Sequence, residues 1–395
     1  MRHIGDDERR ARLARRHALA PGDRTDGPEA ATRAMTVLHA TEAATVHLAV
    51  WARTRDVSIA DVDAALYARR TLVKQLAMRR TLFVFPRDLL PAAWGSASAR
   101  VAAQERARLV KDLVAHGVTT TPESWLDVAR AALLDRLRSG DELSAVQLRE
   151  ELPELAGRML VSTGKKYEAV VHVAPRVLGL LAAEGAIVRA TNAGRWRVNR
   201  PVWTSMTAWL GEAPEQPWKP EEGYAELVRR WLWTFGPGTE PDLVWWLGAT
   251  KGAVRRALAE VGAVQVSLDG GATGWVLGDD VEPVPPVEPW SALLPVLDPT
   301  TMGWKERNFY LPPEHRDRLF DTNGNAGTTA WWDGRVVGCW VQDDGGVVSP
   351  VLCEDVGADG RAALDADAER LTRWLQGERV ATVYGSPMMR GGVAG

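Results

Sequence analysis

"RRTLVKQLAMRRTLFVFP", residues 69–86, is rich in branched and aromatic apolar side chains and reads as two strands joined by a tight connection. Ahead of it, apolar positions recur at helical spacing through 28–39, 42–52 and 60–68, so three helices lead into one hairpin. The order returns twice. "ESWLDVARAALLDRLRSG" (123–140), "SAVQLREELP" (144–153) and "KKYEAVVHVAPRVLGLLAAEG" (165–185) precede the pair "AIVRA" and "GRWRVN", turning at Asn192-Ala193-Gly194. "GYAELVRRWLWTFGPGTEPDLVWWLG" (223–248) and "TKGAVRRALAEVG" (250–262) precede "AVQVSLDGGATGWVLG", where Asp269-Gly270-Gly271 marks the turn. Three helix–turn–helix units, each closed by a hairpin, are the pattern of tandem winged helices.

The proline-rich, acidic "DDVEPVPPVEPW" (279–290) reads as a linker. Beyond it, "TTAWWDGRVVGCWVQ" pairs two short strands about Asp333-Gly334, "GGVVSPVLCE" adds another, and 361–377 is one amphipathic helix before "RVATVYG". The expected fold is therefore α+β, mainly α: winged-helix units over 1–110, 111–210 and 211–280, then a β-barrel-like domain over 281–395.

With 395 residues, 46% hydrophobic and 25% charged, the chain has the composition of a soluble globular protein. No apolar run approaches the roughly 18 residues that span a bilayer. The N-terminal "MRHIGDDERRARLARRHAL" has no apolar signal-peptide core behind its arginines, so the expected location is cytoplasmic. Cys339 and Cys353 are too few for a disulfide framework or a cysteine-based zinc site, and neither a metal nor a cofactor is implied. The net charge of −3 hides an asymmetry: residues 1–210 hold 32 Lys and Arg against 23 Asp and Glu, and the remainder holds 16 against 28. A basic front suits phosphates, although arginine-rich surface helices that merely solvate the front give the same balance.

In a helix–turn–helix the second helix enters the major groove and the wing touches backbone. Lys165, Lys166, His172 and Arg176 fall along that helix in the second unit, with Arg189, Arg195 and Arg197 on its wing; Lys251, Arg255 and Arg256 take the equivalent helix of the third. Arg79 and Arg80 head the return strand of the first hairpin. Such side chains grip phosphates without reading sequence. The eighteen tryptophans are read as core packing. No phosphate-cradling glycine loop, Gly-x-Ser-x-Gly elbow or histidine–carboxylate metal spacing is present.

These residues resemble the winged-helix DNA glycosylases of the AlkZ and YcaQ type, bacterial enzymes that release bulky N7-alkylated guanines and, for some members, unhook interstrand cross-links. The resemblance covers nearly the whole chain. It rests on "LHATEAATVHLAVWAR" (38–53) in place of the family's Leu-Gln-x-Gln stretch, on "MRRTLFVFP", on "FGPGTEPDLVWWLG", and most specifically on "LLPVLDPTTMGWKERNFYL" and "GNAGTTAWWDGRVVGCW". It implies a C-shaped monomer of three winged helices and a β-barrel, without metal, holding duplex DNA in its cleft.

The departure falls on the catalytic motif, where the family's Gln-x-Gln or Gln-x-Asp is His39-Ala40-Thr41. Release of an N7-alkylated base needs an oriented water and stabilisation of positive charge on the sugar. An imidazole with its ordinary pKa of about 6.5 can hold that water and accept its proton, so His39 stands as general base and Thr41 as its positioning partner. Glu42 supplies a carboxylate if the backbone turns it inward. Read without the family, His39 is a polar cap at a helix C-terminus and Thr41-Glu42 the start of the next helix. His47, one or two turns on, reads as structural. The expected function is a monofunctional DNA glycosylase for bulky alkylated purines in duplex DNA, serving repair or self-resistance to a genotoxin. Two alternatives stand beside it: a non-catalytic DNA-binding regulator or adduct-sequestering protein, and a protein-interaction surface in the acidic half.

Overall fold

Prolines and capping residues decide where the helices begin. Helices Pro28–Ala34, Pro122–Arg136, Ala174–Ala183, Pro220–Phe235 and Glu240–Leu247 each carry a proline in the first turn, where its missing N–H would have found no partner. Ser58, Ser144 and Thr239 close capping boxes with Asp61, Gln147 and Asp242. The result, a computed structural model that describes residues 1–161 and 169–391, is mixed α/β and about half helical.

The first unit departs from expectation at its start. The helix expected over 28–39 stops at Ala34, because Thr36 takes a left-handed φ of 64°, and Leu38–His39 becomes a two-residue strand. Leu38 pairs with Val84 and His39 with Phe83, so this strand edges a sheet of order Leu38–His39, Thr81–Pro86, Leu72–Ala77. Arg79 and Arg80, expected at the head of the return strand, lie instead in the tight connection before it, at φ of 52° and 59°, and the strand begins at Thr81. Helix Ala43–Arg53 is buried at every residue and therefore presents no face to solvent, its polar Thr45, His47 and Arg53 being hydrogen-bonded inside.

The second unit corrects two readings. Residues 165–185 are not one helix: Ala169–His172 is a strand paired with Arg158–Val161, and the helix starts at Ala174, just before Pro175. β-Branched Val170 and Val171 take the extended pairing that a partner strand offers. The outer strand of the next hairpin is Pro201–Ser205, not 194–199, and pairs with Ile187–Asn192. Asn192 explains the shift, since its side chain donates to the carbonyls of Arg195 and Val198 and accepts from the Arg200 amide, tying 193–200 into a loop.

The third unit follows the expected order of helices Pro220–Phe235, Glu240–Leu247 and Lys251–Glu260, then hairpin strands Val264–Leu268 and Thr273–Val276. An unforeseen strand, His3–Ile4, adds to this hairpin in parallel. In the C-terminal part the barrel expectation gives way to an open sheet among the described residues. Strands Ser291–Leu294, Thr329–Trp332, Arg335–Gln342 and Val348–Leu352 run antiparallel in sequence order, and helix Gly357–Leu375 packs on them. Four short strands are too few to close a cylinder, and a helix covers them instead.

One hydrophobic cluster joins the first unit, the third unit and the C-terminal sheet, while residues from Val101 to Trp203 form another. Ten of the eighteen tryptophans are buried. A polar joint crosses the larger cluster. Arg53 and Asp298, both fully buried, pair at 2.6 Å; Arg53 also donates to Thr300 Oγ1 at 2.7 Å. His17 bridges Thr300 Oγ1 at 2.8 Å and the Thr234 carbonyl at 3.2 Å. The carbonyl can only accept, so His17 carries its proton on Nε2 and receives the Thr300 hydroxyl on Nδ1. Burial holds this ring well below the usual imidazole range. Among the described residues no helix is long and apolar enough to cross a membrane.

Candidate active site and nucleic-acid interface

Pairing with Phe83 fixes where His39 points. The residue is 7% exposed, and its ring meets Phe83 edge-on at 5.4 Å. The Thr41 amide donates to Nδ1 in a long contact of 3.5 Å. Nε2 has no hydrogen-bond partner among the described residues. Burial first, and the Arg79 charge second, push the His39 pKa down to about 3. The ring is thus neutral at physiological pH, and the Thr41 contact favours the tautomer that leaves an N–H on Nε2. Such a ring can donate a hydrogen bond to water, but it is too weakly basic to take water's proton.

Thr41 does not cap the following helix. Glu42 is the residue at the N-cap position, with extended backbone, and its side chain makes no capping bond. Its Oε1 instead accepts from the Thr382 hydroxyl at 2.9 Å and the Val383 amide at 3.0 Å, turning the carboxylate toward the C-terminal segment, and burial raises its pKa. Glu42 also lines a cavity of about 150 Å³. The Thr41 carbonyl accepts from Asn199 Nδ2 at 3.3 Å. His47 binds Asp63 at 2.9 Å and the Ala43 carbonyl at 3.3 Å, in keeping with a structural place.

Most of the expected DNA-binding side chains already have partners within the chain. The Arg79 guanidinium lies 4.1 Å from the Trp245 ring and donates to the Trp246 carbonyl at 3.1 Å, ending helix Glu240–Leu247; burial and Arg307 lower its pKa to about 10. Arg80 pairs with Glu105 at 2.9 Å. Arg176 pairs with Asp112 at 2.6 Å, and Arg255 holds Glu240 through two bonds of 2.7 and 3.0 Å. Arg195, at 3.1 Å, and Arg197 both bind Glu378. His172 ends a strand rather than riding a helix, and its pKa is lowered by desolvation first and by the charges of Arg149 and Arg158 after it. Lys251 opens helix Lys251–Glu260, which also carries Arg255 and Arg256. Lys165 and Lys166 lie outside the described residues.

Three features had no usable sequence signal. Lys74 donates to the Tyr67 hydroxyl at 2.7 Å; burial and the neighbouring Arg189 bring its pKa down to about 8. Arg189 itself lies 5.3 Å from the Trp203 ring, so two cations from separate units stand together. Asn199 reaches Thr41 across 158 residues of chain. The guanidinium of buried Arg307 lies 5.3 Å from the Trp245 ring, the ring that Arg79 also contacts.

The comparisons with known proteins agree with this architecture. A solved structure, Streptomyces sahachiroi DNA glycosylase AlkZ, superposes with a TM-score of 0.74 over 96% of this chain and 99% of that one, at 22% identity, which is a likeness of fold. No curated protein matches. The family model described as DNA glycosylase AlkZ-like matches residues 32–374, a span that contains the His39–Glu42 segment and the hairpin that pairs with it. By that match the chain belongs to the AlkZ-like DNA glycosylase family.

Proposed function

We propose that this protein is a monofunctional glycosylase that hydrolyses the N-glycosidic bond of bulky N7-alkylated purines in duplex DNA, in repair or in self-resistance to a genotoxin. In this reading residues 1–110, 111–210 and 211–280 are winged-helix units that, with the β-rich domain 281–395, grip the duplex as a cytoplasmic monomer without a cofactor. The observation that carries it is the Nε2 of His39, which has no hydrogen-bond partner among the described residues, with Thr41 and Glu42 next along the chain. Family membership supports the glycosylase chemistry.

Alkylation at N7 places positive charge on the base, which then leaves as a neutral group and needs no strong acid. The protein's task is to orient water and to stabilise the electron-poor sugar. With a pKa of about 3, His39 serves as an uncharged group that holds the water through Nε2–H, a role close to that of an amide. The general-base role expected from an ordinary imidazole is replaced by positioning. Thr41 adds a hydroxyl to the same water, and Glu42 contributes its negative end toward the sugar and base. Lys74, Arg189 and Lys251 are the cations we assign to phosphate; the ion-paired arginines must exchange a carboxylate for a phosphate to join them.

The test incubates purified protein with duplexes carrying methyl or bulky N7-guanine lesions and looks for free base and alkali-labile sites. Release by wild type, lost in His39→Ala with DNA affinity retained, is the expected result. DNA affinity without release of any adduct supports the second reading, a non-catalytic DNA-binding protein. The weak basicity of His39 and the absence of the family's second amide or acid at Thr41 favour that alternative.

A further inference from the structure

We propose that the cavity beside Glu42 is a subsite for a single apolar ring carried on N7 of the base, so that this chain prefers arylmethyl adducts to methyl ones. The proposal rests on the glycosylase reading above and adds the chemistry of the substituent. The cavity, about 150 Å³, opens between helix Ala43–Arg53, the end of strand Ser291–Leu294, strand Arg335–Gln342 and the chain that follows helix Gly357–Leu375. Leu48, Val296, Trp340, Val380 and Met389 line it together with Glu42.

Volume sets the size of the guest. A dry cavity of about 150 Å³ lined by aliphatic and aromatic groups takes up one benzene molecule. Hydrogen bonding sets its polarity. The Thr45 hydroxyl is committed to the Val296 carbonyl at 3.0 Å, the Thr328 hydroxyl to the Trp340 carbonyl at 2.5 Å, and the Trp340 indole to the Leu294 carbonyl at 2.8 Å. The Gln342 amide is held by Gly346, Glu378 and Val380. With these groups occupied, the polar lining left to water is the Glu42 carboxylate and the Arg379 guanidinium, which pairs with Asp344, and an apolar ring packs against the remaining aliphatic and aromatic wall.

Position connects the cavity to the reaction. Glu42 is its wall on the side of the His39–Thr41 segment, and Glu42 Oε2 accepts no hydrogen bond among the described residues. N7 and the sugar-bearing N9 belong to the same five-membered ring, one carbon apart. A substituent on N7 therefore starts within a few bond lengths of the scissile bond. A carboxylate at this shared wall faces the cationic ring of the alkylated base while the cavity behind it receives the aryl group.

Single-turnover release from duplexes containing N7-benzylguanine and N7-methylguanine, corrected for spontaneous loss, gives the test. The wild type is expected to release the benzyl base at least about tenfold faster than the methyl one, the range a single hydrophobic pocket supplies. Val380→Trp, which fills the cavity from a half-buried irregular segment, should bring the ratio toward one. Val341→Ala, which enlarges the same region, should extend tolerance to a naphthylmethyl group and covers the case in which the tryptophan variant misfolds. A wild-type ratio near one, or a ratio unmoved by Val380→Trp, overturns the subsite. If neither adduct is released, the glycosylase reading fails by itself. Calorimetric binding of free 7-benzylguanine in preference to 7-methylguanine then upholds the cavity as an aryl-binding site, and equal or absent binding overturns it.

Discussion

Burial of the neutral His39 ring makes stability depend on pH in a way that one substitution can isolate. The folded pKa is about 3 and the unfolded one about 6.5. Between those values the unfolded chain binds a proton that the folded chain refuses, so stability falls as pH falls, and above about pH 6.5 the ring has no effect. Each pH unit in the window costs about 1.4 kcal/mol, so at pH 4.5 this ring alone removes about 2.7 kcal/mol. His39→Gln keeps a polar side chain in the strand and cannot titrate. Urea unfolding of both proteins at about pH 7.5, 5.5 and 4.5, at fixed ionic strength, should show a wild-type loss that exceeds the variant's by about 1.4 kcal/mol at the second pH and 2.7 at the third. His17 titrates in both proteins and cancels. Parallel pH dependences would refute the burial argument and return His39 to an ordinary basicity, and with it to general-base catalysis. Activity follows the same sign: a group neutral down to about pH 3 gives the pH–rate profile no acidic limb near 6.5, a second reading of the same number.

Other parts of the molecule give independent outcomes. Asp298→Ala strands the buried Arg53 guanidinium and should cost about 3–5 kcal/mol, read as a lowered melting temperature, whereas replacing Arg53 and Asp298 together by Met and Leu should recover most of it. Glu378→Gln frees Arg195 and Arg197; DNA binding should tighten at low salt, and the slope of log affinity against log salt should steepen by up to about 1.8, which a fluorescence titration across salt concentrations measures. Asp242→Ala removes a carboxylate that caps helix Glu240–Leu247 and also accepts the Lys305 and Glu306 amides at 2.8 Å, so its cost in a thermal melt should exceed the roughly 1 kcal/mol of an ordinary cap.

Features written in a few adjacent residues could be read from the sequence. The turns at Asp269-Gly270-Gly271 and Asp333-Gly334 are where the chemistry of the turn residues puts them, with Gly270, Gly271 and Gly334 at positive φ. Helices of the third unit likewise end and start near their expected bounds, because Thr239 and Gly248 punctuate them locally. Failure came where a distant partner overrode local pattern. "AVVH" has a helical neighbourhood in sequence, but Arg158–Val161 lies alongside and claims it as a strand. The outer strand of the second hairpin moved because Asn192 closes a loop with residues up to eight positions on. Nor does a basic residue announce its counter-ion: Arg197 and Glu378 are 181 residues apart.

The candidate site divides in the same manner. Its residue types were visible in "HATE", and so was the chemistry that an isolated imidazole would perform. What could not be seen is the two-residue strand that holds His39, since two residues are too few to display any period. That strand decides the charge of the ring. Pairing to Phe83 carries the imidazole into the packed edge of the sheet, and the hairpin that supplies Phe83 also brings Arg79 close enough to oppose its protonation. A fold that buries the ring and places a cation beside it converts a titratable side chain into a fixed neutral dipole. On the proposed reading, histidine in place of the glutamine of the resembled motif changes the shape of the hydrogen-bonding group and leaves it uncharged.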